Sequence, residues 1–462
     1  MKIRIVGAAG GEVTGSAYLI ETADAKVLID AGMFQGSKAA EEKNRLPEGV
    51  DPRALDALLL THAHLDHTGR VPLLLKYGFK GPIYATSATI DLAEIILQDA
   101  AKIQMQDAAR KNRYHPERHA EALYRTEDLI SFRPQSKNIE LYQSIEVASG
   151  ITARFYEAGH MLGSTSIELT VEENGKKTVI VFSGDIGPRD QPIVRSFEQL
   201  NYADLVFMES TYGNRNHRPY AETIKEFEQI ILKAVEQKGK ILIPAFAIGR
   251  TQQILYQLAI LFFQKKVPPF PVFVDSPMAI EAGKVFAHHP DLFDEEAASW
   301  KNLGMLPLDP AWFKFTPSVE ESKQLNEIKS PCAILAGAGM CNGGRIQHHL
   351  KFNLSNPSTQ VLIVGFQGYG SLGRLLVDGA KQVRIHGETI DVNAKIHTLN
   401  GFSAHAGQND LLKWFSSLSN AKPKVLLTHG ENREREALAS QIELNFGLKP
   451  LLPQLNEILE LN

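Results

Sequence analysis

The sequence is short of cysteine. Cys332 and Cys341 are its only two in 462 residues, too few for a disulfide framework, and a reducing compartment fits. No apolar run is long enough to cross a bilayer. The opening MKIRIVGAAGG has a very short apolar stretch and no small-residue cleavage site after it, so no secretory leader is read there. The protein is expected in the cytoplasm, with no membrane partner. A large excess of charge of one sign is also missing. A net charge of −4 exerts no global pull on nucleic acid or anionic lipid, so any polyanion site has to be a local patch. Internal repeats and low-complexity segments are absent. Apolar and charged fractions of 44% and 22% argue against disorder. What is left is a globular chain with length for two or three domains.

The first part reads as strands. KIRIVGA, SAYLIET and KVLIDAG are short β-type runs broken by Gly or Asp, and ALDALLL is a buried strand. A long helical segment runs from about Ser87 to Arg113, and more strands follow up to ADLVFMES. From about Asn214 the rhythm becomes strand–helix alternation, with KILIPAF, FPVFVDSP, CAILAGAG and QVLIVGF as strands. That alternation predicts a mainly parallel sheet with helices on its faces. After about Thr389 come strand AKIHTLN, a His-bearing loop, helix LLKWFSSL, strand KVLLTHG and a further helix.

Against this ordinary background stands THAHLDHTGR, Thr61 to Arg70. His62 and His64, two apart at a strand end, project to the same side. Asp66 and His67 follow on a turn and can face the same point. Imidazole and carboxylate together suit a divalent metal. One such histidine would be an ordinary hydrogen-bonded residue; four such side chains after a buried strand favour a metal. One locus does not complete two metals. His160 in EAGHMLGST, Asp185 in VFSGDIG and His429 in VLLTHGE also end apolar runs and are candidate partners. Each alone reads as a cap or turn residue.

The ordered set Asp30, HAHLDH at 62–67, His160 and Asp185 is similar to the metallo-β-lactamase superfamily. ESTYGNR at 209–215, FSAHAG at 402–407 and THGE at 428–431 resemble the β-CASP branch of metal-dependent nucleases. PAFAIGRTQQIL, VDSPMA, GAGMCNGGRI and GSLGR strengthen the match. Within that branch the chain resembles the endonuclease subunit of the cleavage and polyadenylation specificity factor and its prokaryotic relatives. The resemblance implies an α/β fold: a metallo-β-lactamase αββα sandwich with an inserted, mainly parallel β-CASP domain. The expected division is 1–213 and 390–462 for the sandwich and 214–389 for the insertion.

It also implies roles. His62, His64 and His160 would hold one Zn²⁺, and Asp66, His67 and His429 the other. Asp185 would bridge the two ions, with a hydroxide between them. Asp30 would orient the site by hydrogen bonds, as carboxylates behind metal ligands commonly do. Asp66 belongs to the catalytic set, and His405, backed by Glu209, would face the leaving group. From their residues alone these last two read as a loop histidine and a capping acid. The implied reaction is zinc-dependent, endonucleolytic hydrolysis of RNA. His429 stands where DNA-processing members carry valine, so the expected partner is single-stranded RNA, with a homodimer left open. Two other readings compete: a thioester or lactone hydrolase of the same superfamily, and a non-catalytic RNA-processing scaffold.

Phosphate must also be gripped. Gly339, Gly343 and Gly344 let backbone amides approach a ligand, and Arg345 adds charge. A tight strand–helix connection would look the same. Ser276 and Arg250 follow strands that face the cleft in the family architecture. His288, His289, His348 and His349 read as helix or surface residues rather than ligands.

Overall fold

The computed structural model describes residues 1–36, 38–114, 117, 119–302, 312–328, 331–365, 367, 368 and 370–461. The chain folds as two compact units. The first comprises Met1–Arg189, Ser196–Asn216 and His405–Asn462; the second comprises Asp190–Arg195 and His217–Ala404.

The first unit is built on two sheets. One has seven strands in the order Ile458–Glu460, Lys2–Ile5, Tyr18–Glu21, Lys26–Ile29, Ala57–Leu59, Ile83–Ala85, Ser136–Asn138. The other has six: Lys424–Leu427, Leu205–Met208, Lys176–Phe182, Thr165–Glu173, Ile151–Glu157, Ile145–Ala148. Their strands alternate as sequence period two demands; along Ile151–Glu157 every second residue is buried. Ile20, Val27 and Leu59 from the first sheet meet Phe155, Leu169 and Phe207 from the second in one core. On the far face of the second sheet, Val206 and Leu427 pack with Leu411, Trp414 and Leu438 of the helices Gln408–Ser416 and Asn432–Phe446. Leu19, Leu28 and Leu58 point away from the inter-sheet core and are also buried, so the first sheet is covered on both faces. This is the αββα sandwich. The strand Lys424–Leu427, at the edge of the second sheet, pairs in parallel with Leu205–Met208 and delivers the chain to His429.

The second unit holds a six-stranded sheet in the order Phe313–Phe315, Val272–Asp275, Cys332–Ala336, Lys240–Pro244, Gln360–Ile363, Lys395–Thr398, parallel throughout. The helices Tyr220–Glu236 and Arg250–Phe263 cover one face, where Phe227, Ile254 and Leu258 pack on Ile241, Ile243 and Leu335. The helices Gly344–Asn353 and Leu372–Val377 cover the other, where Ile346, Leu350 and Leu376 pack on Leu242, Ile334 and Val361. Lys395–Thr398, read from sequence as the start of the returning segment, is the edge strand here. It pairs with Gln360–Ile363, and Leu399 N donates to Ile363 O at 2.8 Å.

Candidate metal centre

Strand ends and one-turn connections of the first unit supply the site. After Ala57–Leu59 the chain makes a sharp turn into the helix Leu65–Thr68, whose cap is His64. His67 N and Thr68 N close on His64 O at 3.0 and 2.9 Å, which sets Asp66 and His67 on the turn. Two glycines make room. A Cβ on Gly32 would lie 1.6 Å from Asp66 O, and one on Gly184 would lie 2.8 Å from Thr165 O and 2.9 Å from Thr61 Cβ. Asp30 and His429 both sit in the left-handed region, at φ 57° and 51°, a conformation that surrounding structure has to enforce in a non-glycine residue. The enforcement is visible for His429: its N donates to Ala8 O at 2.7 Å, and its O accepts from Ser210 N at 3.2 Å.

Two four-residue sets of side-chain ligand atoms converge, His62, His64, His160 and Asp185 in one and Asp66, His67, Asp185 and His429 in the other, and a smaller third group joins Asp185 with Glu209 and His405. In the first, His64 Nδ1 and His160 Nε2 are 3.0 Å apart, and Asp185 Oδ2 lies 3.5 Å from His62 Nε2 and 3.6 Å from His160 Nε2. In the second, His67 Nε2 and His429 Nε2 are 3.2 Å apart. Asp185 Oδ1 lies 3.2 Å from the former and 3.5 Å from the latter, and Asp66 Oδ2 is 3.5 Å from His429 Nε2. The edge of a tetrahedron of ligands around a zinc-sized ion is roughly 3.4 Å, given metal–nitrogen bonds of about 2.05 Å. Asp185 turns one carboxylate oxygen to each set. His62 Nε2 and Asp185 Oδ1 are buried without a hydrogen bond. A buried polar atom left unpaired is costly, and a cation between these atoms would remove the cost. The donor set therefore fits divalent metal.

The outer groups fix the imidazole tautomers. Asp30 Oδ2 accepts from His67 Nδ1 at 2.7 Å and from the Thr61 hydroxyl at 2.8 Å, while Thr61 N donates to Asp30 Oδ1 at 2.8 Å. Having donated its proton, Thr61 Oγ1 is left to accept from His62 Nδ1 at 3.1 Å. Thr211 Oγ1, 3.2 Å from His429 O, does the same for His429 Nδ1 at 3.1 Å. In each case Nε2 is the ring nitrogen turned to the ligand cluster, the one whose lone pair a metal would take. Neither threonine was picked out from the sequence. Both lie inside quoted motifs, and their hydroxyls beside histidines were the available signal.

The charges of these groups act on one another. Burial and the neighbouring His67 hold His62 far below the usual imidazole range. His67 goes the other way: burial opposes protonation, but Asp185 and Asp30 override it. The surrounding imidazoles hold the Asp185 carboxyl well down against the effect of its burial. His405 stands at the edge, its ring centroid 4.6 Å from that of His160, with Nδ1 3.4 Å from Glu209 Oε1. Burial pulls its pKa down, but Glu209 and Asp185 push it up to about 9. Glu209 is itself fixed, accepting from Ile186 N at 2.7 Å and Thr211 N at 3.2 Å.

The six phosphate candidates lie in the second unit, and their surroundings differ from the expectation. Arg345 bonds Asp275 Oδ1 at 2.7 Å, Thr316 O at 2.5 Å and Pro317 O at 2.7 Å. Arg250 is buried and donates to Gln253 Oε1 at 2.6 Å. Ser276 caps the helix Pro277–His288, accepting from Ala279 N at 3.3 Å. Gly344 turns the chain at φ 69° against Gly337, and Gly339 lies under the Phe246 ring, whereas Gly343 has open space beside it. His349 is buried and bonds Asp275 Oδ2 at 2.7 Å.

An αββα sandwich with two strand-end ligand sets sharing one aspartate defines a metallo-hydrolase of the metallo-β-lactamase superfamily. Residues 10–245 match that superfamily's family description, residues 251–376 that of the Beta-Casp domain, and residues 389–453 that of the Zn-dependent metallo-hydrolase RNA specificity domain. The chain is 41% identical over 447 residues to Ribonuclease TTHA0252 of Thermus thermophilus, covering 96% of each protein. It is 30% identical to Transcription termination factor FttA of Methanosarcina mazei, covering 95% of this chain and 68% of that protein. An RNase J-like protein of Methanocaldococcus jannaschii is 29% identical, with 95% of each covered. A solved structure, a protein of unknown function from Enterococcus faecalis, shares the fold at a TM-score of 0.57 and 14% identity, covering 100% of this chain and 99% of that one. The chain belongs to the β-CASP ribonuclease family of the metallo-β-lactamase superfamily.

Proposed function

We propose that the protein is a two-zinc ribonuclease that cuts single-stranded RNA internally. The observation that carries this reading is the placement of Asp185, one oxygen toward each ligand set. Two divalent ions held ~3.5–4 Å apart polarise a phosphoryl oxygen and bring the pKa of water toward neutrality. His62, His64 and His160 would hold one ion and Asp66, His67 and His429 the other, with Asp30, Thr61 and Thr211 keeping the imidazoles oriented. What the chain must add is a proton for the departing oxygen. His405 is placed to carry one, because Glu209, anchored by two backbone amides, holds the ring by Nδ1 and favours its charged form. Nε2 is then the atom that gives the proton. RNA as substrate is supported by the match of residues 389–453 to the RNA specificity description and by the names of the relatives.

The test uses purified protein with 5′- and 3′-labelled single-stranded RNA and the matching duplex. The expected result is internal fragments from the single strand, slower cutting of the duplex, loss with a chelator and recovery with zinc. Release of terminal mononucleotides would replace the endonucleolytic assignment by an exonucleolytic one. Full activity in protein carrying no transition metal would overturn the reading, as would thioester hydrolysis far faster than RNA cleavage.

A further inference from the structure

In the second unit, the adjacent parallel strands Lys240–Pro244 and Cys332–Ala336 send the chain to opposite faces of the sheet. The first leads to the helix Arg250–Phe263, which packs with Ile241 and Ile243; the second leads to Gly344–Asn353, which packs with Leu242 and Ile334. Open parallel sheets bind ligands in the crevice outside the carboxyl ends of two such diverging strands. Phe246 sits there, two residues beyond Pro244, and is 48% exposed. The floor beside it is glycine backbone. A Cβ on Gly339 would come within 3.0 Å of the ring, and one on Gly365 within 4.0 Å. Phe246 O accepts from the Thr251 hydroxyl at 2.8 Å, which fixes the backbone that carries the ring. Among the described residues, the other exposed phenylalanines of this unit are elsewhere: Phe315 ends the edge strand and Phe352 lies in the last turn of Gly344–Asn353.

The neighbouring arginines do not offer an alternative anchor. Arg345 is committed to Asp275 and two carbonyls, and Arg250 is buried against Gln253. Among the described residues, the crevice presents an aromatic face on a backbone ledge. Such a face suits the flat surface of a nucleobase, and because every base has one, stacking tolerates any sequence. We propose that Phe246 is a stacking platform that seats one base of the single-stranded RNA substrate. This rests on the ribonuclease reading and adds a positioning residue to it.

The experiment places the fluorescent base aminopurine at successive positions of a short single-stranded RNA and follows its quenching on mixing with zinc-loaded protein, before cleavage. One position should quench in the native protein and lose that quench in Phe246→Ala and Phe246→Leu, while Phe246→Trp restores it. KM for the same RNA should rise roughly 5- to 150-fold in Phe246→Ala, from a stacking contribution of ~1–3 kcal/mol per base. Circular dichroism checks that the variants fold; Phe246→Leu keeps apolar bulk without the ring face. An unchanged quench in Phe246→Ala and Phe246→Leu would overturn the proposal, as would equal KM across all four proteins. If no variant and no native protein cleaves RNA, the reaction assignment fails, while the quench still judges Phe246.

Discussion

Asp185 and Asp275 are both buried aspartates at strand ends, one in each unit: Asp185 lies just beyond Lys176–Phe182, and Asp275 is the last residue of Val272–Asp275. Their surroundings are opposite. Asp275 receives Arg345 at 2.7 Å, Thr316 Oγ1 at 2.6 Å, Ser322 Oγ at 2.6 Å and His349 Nε2 at 2.7 Å, and these partners help hold its pKa down to about 2 against burial. Its charge is neutralised by the chain itself. Asp185 faces imidazole nitrogens at 3.2 to 3.6 Å, and one of its oxygens has no hydrogen bond. The difference teaches how to tell a structural carboxylate from a binding one. A saturated shell closes the account of the charge, whereas an open shell of convergent lone pairs calls for a cation.

The largest expected effect breaks the contrast at Asp185. Asp185→Ala should lower zinc from about two per chain towards none and remove RNA cleavage, because both ions lose a shared ligand. Elemental analysis and a cleavage assay check it; retained zinc with full activity would show that Asp185 does not bridge. Next comes His405→Ala. Zinc content and RNA affinity should stay, and the chemical step should fall by ~10²–10⁴-fold. The loss should shrink on a nitrophenyl phosphodiester, whose leaving group needs no proton. Glu209→Gln should show a weaker form of the same pattern. If half of the zinc goes with His405, that side chain is a ligand.

The mildest effect on function is expected at Asp275. Asp275→Ala should leave zinc in place and destabilise the fold by on the order of 3 kcal/mol, since it strands Arg345 and His349 without their acceptor. Urea denaturation measures it. The sign of the pH dependence follows from the depressed folded-state pKa. The stabilisation is complete above the ordinary carboxylate value of about 3.9 and fades as pH falls through about 2. The stability gap between native protein and Asp275→Ala should therefore narrow on acidification over that window. A gap that widened would mean that the carboxylate is not the charged partner of Arg345.

HAHLDH was legible because its ligands are adjacent and follow an unmistakable buried strand. His160, Asp185 and His429 were legible only as strand ends; the resemblance grouped them. Thr61 and Thr211 were not, because a hydroxyl's role as acceptor for a ring nitrogen depends on where other strands end. The same limit applies to Arg345. Its sequence context marks a cation beside a glycine turn, and its partner Asp275 lies 70 residues away. Sheet membership of Lys395–Thr398 is likewise a matter of pairing with Gln360–Ile363, which local pattern does not encode.

His67 and His429 face each other across 362 positions of chain. The whole second unit is made between Asp185 and His429. A ribosome therefore finishes one ligand set before the insertion and leaves the other without its last histidine until Lys424–Leu427 has emerged and docked beside Leu205–Met208. Such long-range closure is slow compared with local folding. A nascent chain that has not yet reached His429 has one ligand set assembled and the other open, so the proposed reaction would have to wait for both units to be made.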